Sequence, residues 1–222
     1  MKIIGHRGAK GLAPENTIAS LLKAVEHHVD EIECDVRVTK DFVVVLLHDD
    51  HLLDHAGNKL VINDHTYATL LAHKPDLARM EDAIRAVNRA VPIQFEIKPE
   101  VVIQPTVAII KSFLKNGWEP KDFLIGSFSY KTLCGAQTEL PEVQKVVIEK
   151  WSGIRATSRA RRLGTKRLSM NHWWIWSGFV WCVASRGYEL YPYTVNKTGR
   201  ASNLRKYGLS GVITDFPDRF ED

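Results

Sequence analysis

Short runs of β-type residues alternate with helical patterns along almost the whole chain, and that alternation limits the fold more than anything else in the sequence. Residues 3–4, 32–38, 43–47, 93–97, 123–127, 146–149, 168–171, 190–196 and 212–214 read as strands. Residues 15–28, 80–90, 101–116, 129–139, 153–163 and 178–187 carry apolar positions at helical spacing. Strands alternating with helices demand parallel pairing with the helices packed outside. About eight such units predict an α/β fold of the TIM-barrel (β/α)8 type. An open doubly wound sheet is the competitor, but no glycine-rich phosphate turn follows Ile3-Ile4. With 222 residues and no linker or low-complexity tract, the chain is expected to form a single domain over residues 1–222.

One connection breaks the pattern. Only a few residues centred on Lys40-Asp41 separate the second strand from the third. A parallel crossover needs about a dozen residues or more, so this pair must be a hairpin. A turn with an even number of residues puts His48 on the face of Glu33 and Asp35; an odd number puts it on the opposite face.

Glu33 and Asp35 lie two apart on a strand and so share a face, while Ile32, Cys34 and Val36 share the other. The apolar face suits packing against helices. The two carboxylates then point into the barrel, where unpaired charge is costly. With Glu96 they make three oxygen donors, a set suited to a hard divalent cation, Mg²⁺ or Ca²⁺; zinc would recruit His or Cys first. His6 and His48 follow strand ends, where barrel enzymes keep their chemistry, and two histidines can act as general base and general acid near neutral pH. Arg7 and Lys98 can meet a phosphate.

These residues resemble the glycerophosphodiester phosphodiesterase family. His6-Arg7-Gly8 with Pro14-Glu15-Asn16-Thr17 is similar to its opening motif. Glu33-Cys34-Asp35-Val36, Thr39-Lys40-Asp41 and His48-Asp49 match its second block, and Glu96-Ile97-Lys98 its third. Tyr193-Thr194-Val195-Asn196 and Thr214-Asp215-Phe216-Pro217-Asp218 look like its closing blocks. The resemblance implies a phospholipase-C-like barrel that hydrolyses small glycerophosphodiesters to an alcohol and glycerol 3-phosphate. It implies metal ligation by Glu33, Asp35 and Glu96, with His6 and His48 as the acid–base pair. Arg7, Lys98 and Tyr193 would face the substrate. It leaves open which histidine is the base, and whether water or a substrate hydroxyl attacks first. Two departures bear on substrate identity: Tyr193 stands where the family usually has Trp, and Asp54-His55-Ala56-Gly57-Asn58 replaces an Arg-Thr-Thr-like stretch.

The remaining features take plainer readings. His27, His28, His51, His55, His65, His73 and His172 lack motif support and read as surface or packing residues. Glu15 and Asn16 read as anchors of the first loop; Asp49 either orients His48, reaches the metal or shapes the turn. The basic run 155–167 reads as a solvated helix face, and Trp173, Trp174, Trp176 and Trp181 read first as core. Three scattered cysteines, no CxxC spacing and no targeting segment favour a reducing, cytoplasmic setting. A net charge of +4 without interleaved stacking aromatics gives no case for nucleic acid. No stretch is long enough to span a bilayer; peripheral membrane contact, motivated by the tryptophan cluster and the basic run, stands as the minor alternative. The same site in a lysophospholipase D, or a non-catalytic phosphodiester sensor, are the competing functions; the oligomeric state is not legible.

Overall fold

The computed structural model describes residues 1–54, 56–98 and 101–221. Its strands are β1 (Lys2–His6), β2 (Glu31–Val38), β3 (Val44–Leu46), β4 (His51–Leu53), β5 (Lys59–Val61), β6 (Ile93–Ile97), β7 (Phe123–Ser127), β8 (Gln144–Glu149), β9 (Arg167–Asn171), β10 (Glu189–Tyr193) and β11 (Gly211–Thr214). Its helices are α1 (Ile18–Glu26), α2 (Tyr67–His73), α3 (Met80–Val87), α4 (Gln104–Lys115), α5 (Tyr130–Glu139), α6 (Gly153–Leu163), α7 (Ser177–Ala184) and α8 (Thr198–Arg205).

Eight parallel strands form a nearly closed barrel in the order β10-β9-β8-β7-β6-β2-β1-β11. The last gap is bridged outside the ladders, by Val195 N donating to Ile213 O at 2.9 Å and Leu190 N to Ser210 Oγ at 3.2 Å. Alternation along the strands divides the core in two. Ile32, Cys34 and Val36 of β2 and Ile93, Phe95 and Ile97 of β6 point outward into the layer that packs on the helices. Two small apolar clusters fill the inside, Ile4 with Tyr191 and Ile213, and Leu124 with Val146 and Ile148.

The floor of the barrel is ionic. Arg167 Nη2 donates to Glu31 Oε2 at 2.6 Å, with both side chains 3% exposed. In the strand order β9 and β2 are four steps apart in a ring of eight, so this pair spans the barrel. Burial outweighs the neighbouring charges of Arg167 and Lys2 and raises the Glu31 pKa to about 7.

Several expected boundaries shift for physical reasons. The first helix begins at Ile18 rather than residue 15, because Asn16 takes a left-handed φ of 57° and Thr17 caps the helix by accepting from Ser20 N. The tenth strand ends at Tyr193 rather than residue 196, because the next residues leave the ladder to meet β11. Helices α2 and α8 and the small β4–β5 hairpin escaped the sequence reading. That hairpin contains the atypical 54–58 segment, where Asp54 accepts from the backbone N–H of Ala56 and Asn58; His55 lies outside the described residues.

The β2–β3 connection is antiparallel, as its shortness requires, but Val38 pairs with Val44, leaving an odd turn of residues 39–43. Continued strand geometry would put His48 across from Cys34, on the outer face. It does not, because β3 stops at Leu46 and one further bond, Leu47 N to Asp35 O at 3.1 Å, ends the ladder. The chain then turns, and Arg37 holds the His48 carbonyl with Nε at 3.2 Å and Nη2 at 2.7 Å. The parity argument therefore fails at a residue that no longer belongs to the strand.

Candidate active site

All eight residues singled out from the sequence line one cavity of about 150 Å³ at the C-terminal end of the barrel strands: His6, Arg7, Glu33, Asp35, His48, Glu96, Lys98 and Tyr193. A larger cleft of about 340 Å³ beside the β2–β3 turn holds none of them.

Glu33 and Asp35 come from β2 and Glu96 from the neighbouring β6, where register pairs Asp35 with Glu96 directly. Among the described residues they form the only group of three or more potential metal donors, with one oxygen from each lying within 4.8 Å of the others. All three are buried. Burial first, then the charges of Asp35 and Glu96, push the Glu33 carboxyl well above the usual carboxylate range. Burial and Asp35 likewise raise Glu96. Asp35 is also penalised by burial, but Lys98 and Arg7 outweigh it and hold the pKa at about 2.

The protein meets this charge with its own cations. Lys98 Nζ donates to both Asp35 Oδ1 and Glu96 Oε1. Arg7 places Nε 3.2 Å from Asp35 Oδ2, donates Nη1 to Glu15 at 2.7 Å, and gives its backbone N–H to Glu33 Oε2 at 3.1 Å. Asn16 grips Asp35 twice: Nδ2 donates to Oδ2 at 3.0 Å, and Oδ1 accepts from the Asp35 backbone N–H at 3.1 Å. The left-handed Asn16 that shortened α1 is thus in the service of Asp35. Gly8 completes this first loop with φ +82°, where a Cβ would fall 2.4 Å from Ser20 Oγ.

The two cations leave the charge incompletely balanced, since Glu33 stays displaced upward. A divalent cation held by Glu33, Asp35 and Glu96 would let all three ionise together. Three carboxylates without His or Cys in the cluster fit Mg²⁺ or Ca²⁺.

The histidines stand in different surroundings. His6 ends β1, with Nδ1 2.6 Å from Asp215 Oδ1 and Nε2 4.0 Å from Glu33 Oε2. Asp215 is fixed in turn by Asn196, whose Nδ2 donates to Oδ2 at 2.8 Å and whose Oδ1 accepts from the Asp215 backbone N–H at 2.9 Å. His48 is 40% exposed at its side chain, with Nδ1 2.8 Å from Asp49 Oδ1. Of the three readings open for Asp49, the geometry favours contact with His48. Burial, helped by Lys98 and Arg7, lowers the His48 pKa despite Asp35 and Asp49.

Tyr193 forms part of the cavity wall, its ring meeting Phe128 edge-on at 6.2 Å and its hydroxyl donating to Glu149 O at 3.3 Å. Sequence reasoning gave no role to Asp215, Asn196, Gln94, Ser169 or Thr194. Asp215 and Asn196 lie in quoted motif blocks, and an Asp directly after the last strand was the signal available. Gln94 and Ser169 sit at inward positions of β6 and β9 and line the cavity; only strand register reveals them.

The tryptophans depart from the expected core packing. Trp173, Trp174, Trp176 and Trp181 are 79%, 51%, 66% and 64% exposed. Trp173, Trp174 and Trp176 lie on the connection after β9, and Trp181 lies on α7, whose buried residues are Val180 and Val183 instead. The basic run divides: Arg155, Arg161 and Arg162 lie exposed on α6, whereas Lys166 follows the helix and Arg167, against the expected solvated face, is buried on β9 because it pairs with Glu31 inside the barrel.

The family model described as "Glycerophosphoryl diester phosphodiesterase family" matches residues 6–219. A putative glycerophosphodiester phosphodiesterase, YhdW of Bacillus subtilis, is 27% identical over 98% of this chain and 96% of its own. The human protein named lysophospholipase D GDPD1 is 41% identical, with 100% of this chain and 85% of that protein covered. An Oleispira antarctica phosphodiesterase, solved with the product sn-glycerol-3-phosphate, superposes with a TM-score of 0.86 at 26% identity, covering 99% of this chain and 94% of its own. No described helix is long and apolar enough to cross a membrane.

Proposed function

This chain belongs to the glycerophosphoryl diester phosphodiesterase family, and from that premise we propose that its glycerophosphodiester hydrolysis is metal-dependent and runs on two histidines. The observation that carries the reading is the convergence of eight residues from separate segments on one cavity, three of them carboxylates within 4.8 Å of one another. Glu33, Asp35 and Glu96 would hold Mg²⁺ or Ca²⁺. When bound, such a cation neutralises the carboxylates and draws charge from the phosphoryl oxygens.

The chain's own groups supply the rest. Arg7 and Lys98, held by Asp35, Glu96 and Glu15 at the cavity wall, would present positive charge to the phosphate. His48, its pKa lowered, is neutral near pH 7 and suits proton acceptance from the attacking hydroxyl or water. Asp215 engages His6 at Nδ1, which leaves Nε2 to face the cavity; this orientation suits proton donation to the leaving alcohol. Tyr193 and Phe128 offer an apolar wall for the glycerol carbons. The products would be glycerol 3-phosphate and the free alcohol.

Glycerophosphocholine and glycerophosphoethanolamine, incubated with the protein, are expected to release glycerol 3-phosphate, with EDTA abolishing release and Mg²⁺ or Ca²⁺ restoring it. Undiminished turnover in EDTA, or full activity in His48→Ala, would overturn the corresponding part of the mechanism.

A further inference from the structure

His48 stands on a segment that its own strand no longer holds. The last main-chain bond before it is Leu47 N to Asp35 O at 3.1 Å, and the next one after it is Ile62 N to Asp50 O at 2.9 Å. Among the described residues no bond between main-chain groups reaches His48 or Asp49. The contact of His48 Nδ1 with Asp49 Oδ1 at 2.8 Å joins neighbours in sequence. It orients the ring within the segment without tying the segment to the barrel. The side chain is also partly exposed, so packing constrains it little. A proton acceptor needs a firmer hold, because a misplacement of about 1 Å can cost roughly a hundredfold in rate.

Arg37 supplies that hold. It lies two residues beyond Asp35 and on the same side of β2 as Glu33 and Asp35. Its guanidinium forks onto the His48 carbonyl, with Nε at 3.2 Å and Nη2 at 2.7 Å. Two N–H groups converging on one oxygen fix direction as well as distance, and the donor's charge strengthens both bonds. The fork is itself anchored. Arg37 is buried, and it springs from a strand that pairs with β3 on one side and β6 on the other.

Arg37 does not meet the reacting groups. It lines the cleft of about 340 Å³ beside the β2–β3 turn, together with Lys40 and Asp50, whereas His48 lines the cavity of about 150 Å³. The fork therefore joins a residue of the cleft to a residue of the cavity, through the main chain of His48. We propose that Arg37 is a positioning residue for the hydrolysis: by clamping the His48 carbonyl to β2, it sets the imidazole against the carboxylates that the same strand carries. One strand then places both Glu33 and Asp35 and the proton acceptor. The role rests on the reading of His48 as that acceptor, whereas the clamp does not.

The test is a double-mutant cycle on glycerophosphocholine hydrolysis with saturating Mg²⁺ or Ca²⁺. Arg37→Met removes both donors at similar length. Arg37→Gln puts its Nε2 where the arginine Nε stands and so keeps one uncharged donor. Arg37→Met is expected to lower kcat by at least about tenfold, toward the roughly hundredfold cost of a 1 Å misplacement, with KM little changed. Arg37→Gln should restore much of the loss, because the bond and not the charge is what positions. Starting from His48→Ala, which leaves no imidazole to place, Arg37→Met should take almost nothing further from the residual turnover. If Arg37→Met does not fold, Arg37→Lys and Arg37→Gln carry the same cycle, with thermal melting as the check on folding. Full activity in the Arg37 variants while His48→Ala is inactive overturns the positioning role alone. So does an equal loss with and without His48, since Arg37 then acts through the fold or another group. Full activity in His48→Ala overturns the acceptor reading, and the role of Arg37 with it.

Discussion

The carboxylate of Asp215 accepts from His6 Nδ1 at 2.6 Å while Asn196 secures its other oxygen at 2.8 Å. This chain of bonds fixes the ring and its tautomer, a role that a sequence cannot assign because the three residues lie far apart along it. Replacing Asp215 by Asn keeps the shape and removes the charge. Turnover of glycerophosphocholine should then fall by roughly 10²–10⁴ with little change in KM. A glycerol phosphodiester with a p-nitrophenol leaving group, which departs without a proton, should lose far less. Equal losses on both substrates would show His6 acting on the attacking side instead. Among residues the sequence did mark, Glu33, Asp35 and Glu96 were legible through strand alternation and motif order. Their different protonation was not. It depends on Lys98 and Arg7 favouring Asp35 over Glu33, a matter of distances.

Strand β2 shows how one element serves opposite demands. Its outward residues, Ile32, Cys34 and Val36, pack under helices, while its inward residues run from Glu31 at the floor to Asp35 at the mouth. The floor pair of Glu31 and Arg167 is buried on both sides, and Glu31 Oε1 and Arg167 Nε lack hydrogen-bond partners. Removing one partner strands a buried charge. Glu31→Ala is therefore expected to cost about 3–5 kcal/mol in denaturant unfolding, and Glu31→Leu combined with Arg167→Met to recover most of it. A double variant as unstable as the single one would mean that the ionic pair itself holds the barrel. The same strand explains the hairpin. Its antiparallel partner was legible from the brevity of the turn, but the place of His48 was not, because the ladder ends before reaching it.

For the whole molecule, the internal carboxylates couple stability to pH and metal. Glu31 titrates at about 7 in the fold against 4.5 ordinarily, and Glu33 and Glu96 are also raised. Groups raised in this way stabilise the fold fully below their unfolded pKa and lose that contribution as pH rises through the folded value. His48 and His172 are lowered and act in the opposite sense around their ordinary value of 6.5, but both are partly exposed and weigh less. Asp35, held at about 2, changes only in stronger acid. Freed of metal, the protein should therefore melt at a higher temperature near about pH 5.5 than near about pH 8. Mg²⁺ or Ca²⁺ at a hundred times its Kd should add about 2.7 kcal/mol at the higher pH. It should also reverse the trend, because protons then compete with the metal. Calorimetry at both pH values, with and without metal, reads each effect; a metal-free protein more stable at the alkaline value would contradict the buried-carboxylate account.

The sequence by itself determined the alternating α/β order, the hairpin and the eight residues that come to line one cavity, because strand and helix periods, turn length and motif spacing are local properties. Tertiary structure decided what depends on residues distant in the chain. It ended β3 before His48, bent Asn16 away from the helix to hold Asp35, and bound Asp215 to His6. It also left the tryptophans outside, on the connection after β9 and on α7, where Val180 and Val183 take the buried face. Glu33, Asp35, Glu96, His6 and His48, expected together from the sequence, line one cavity, but the unequal protonation of the three carboxylates is a product of the closed barrel.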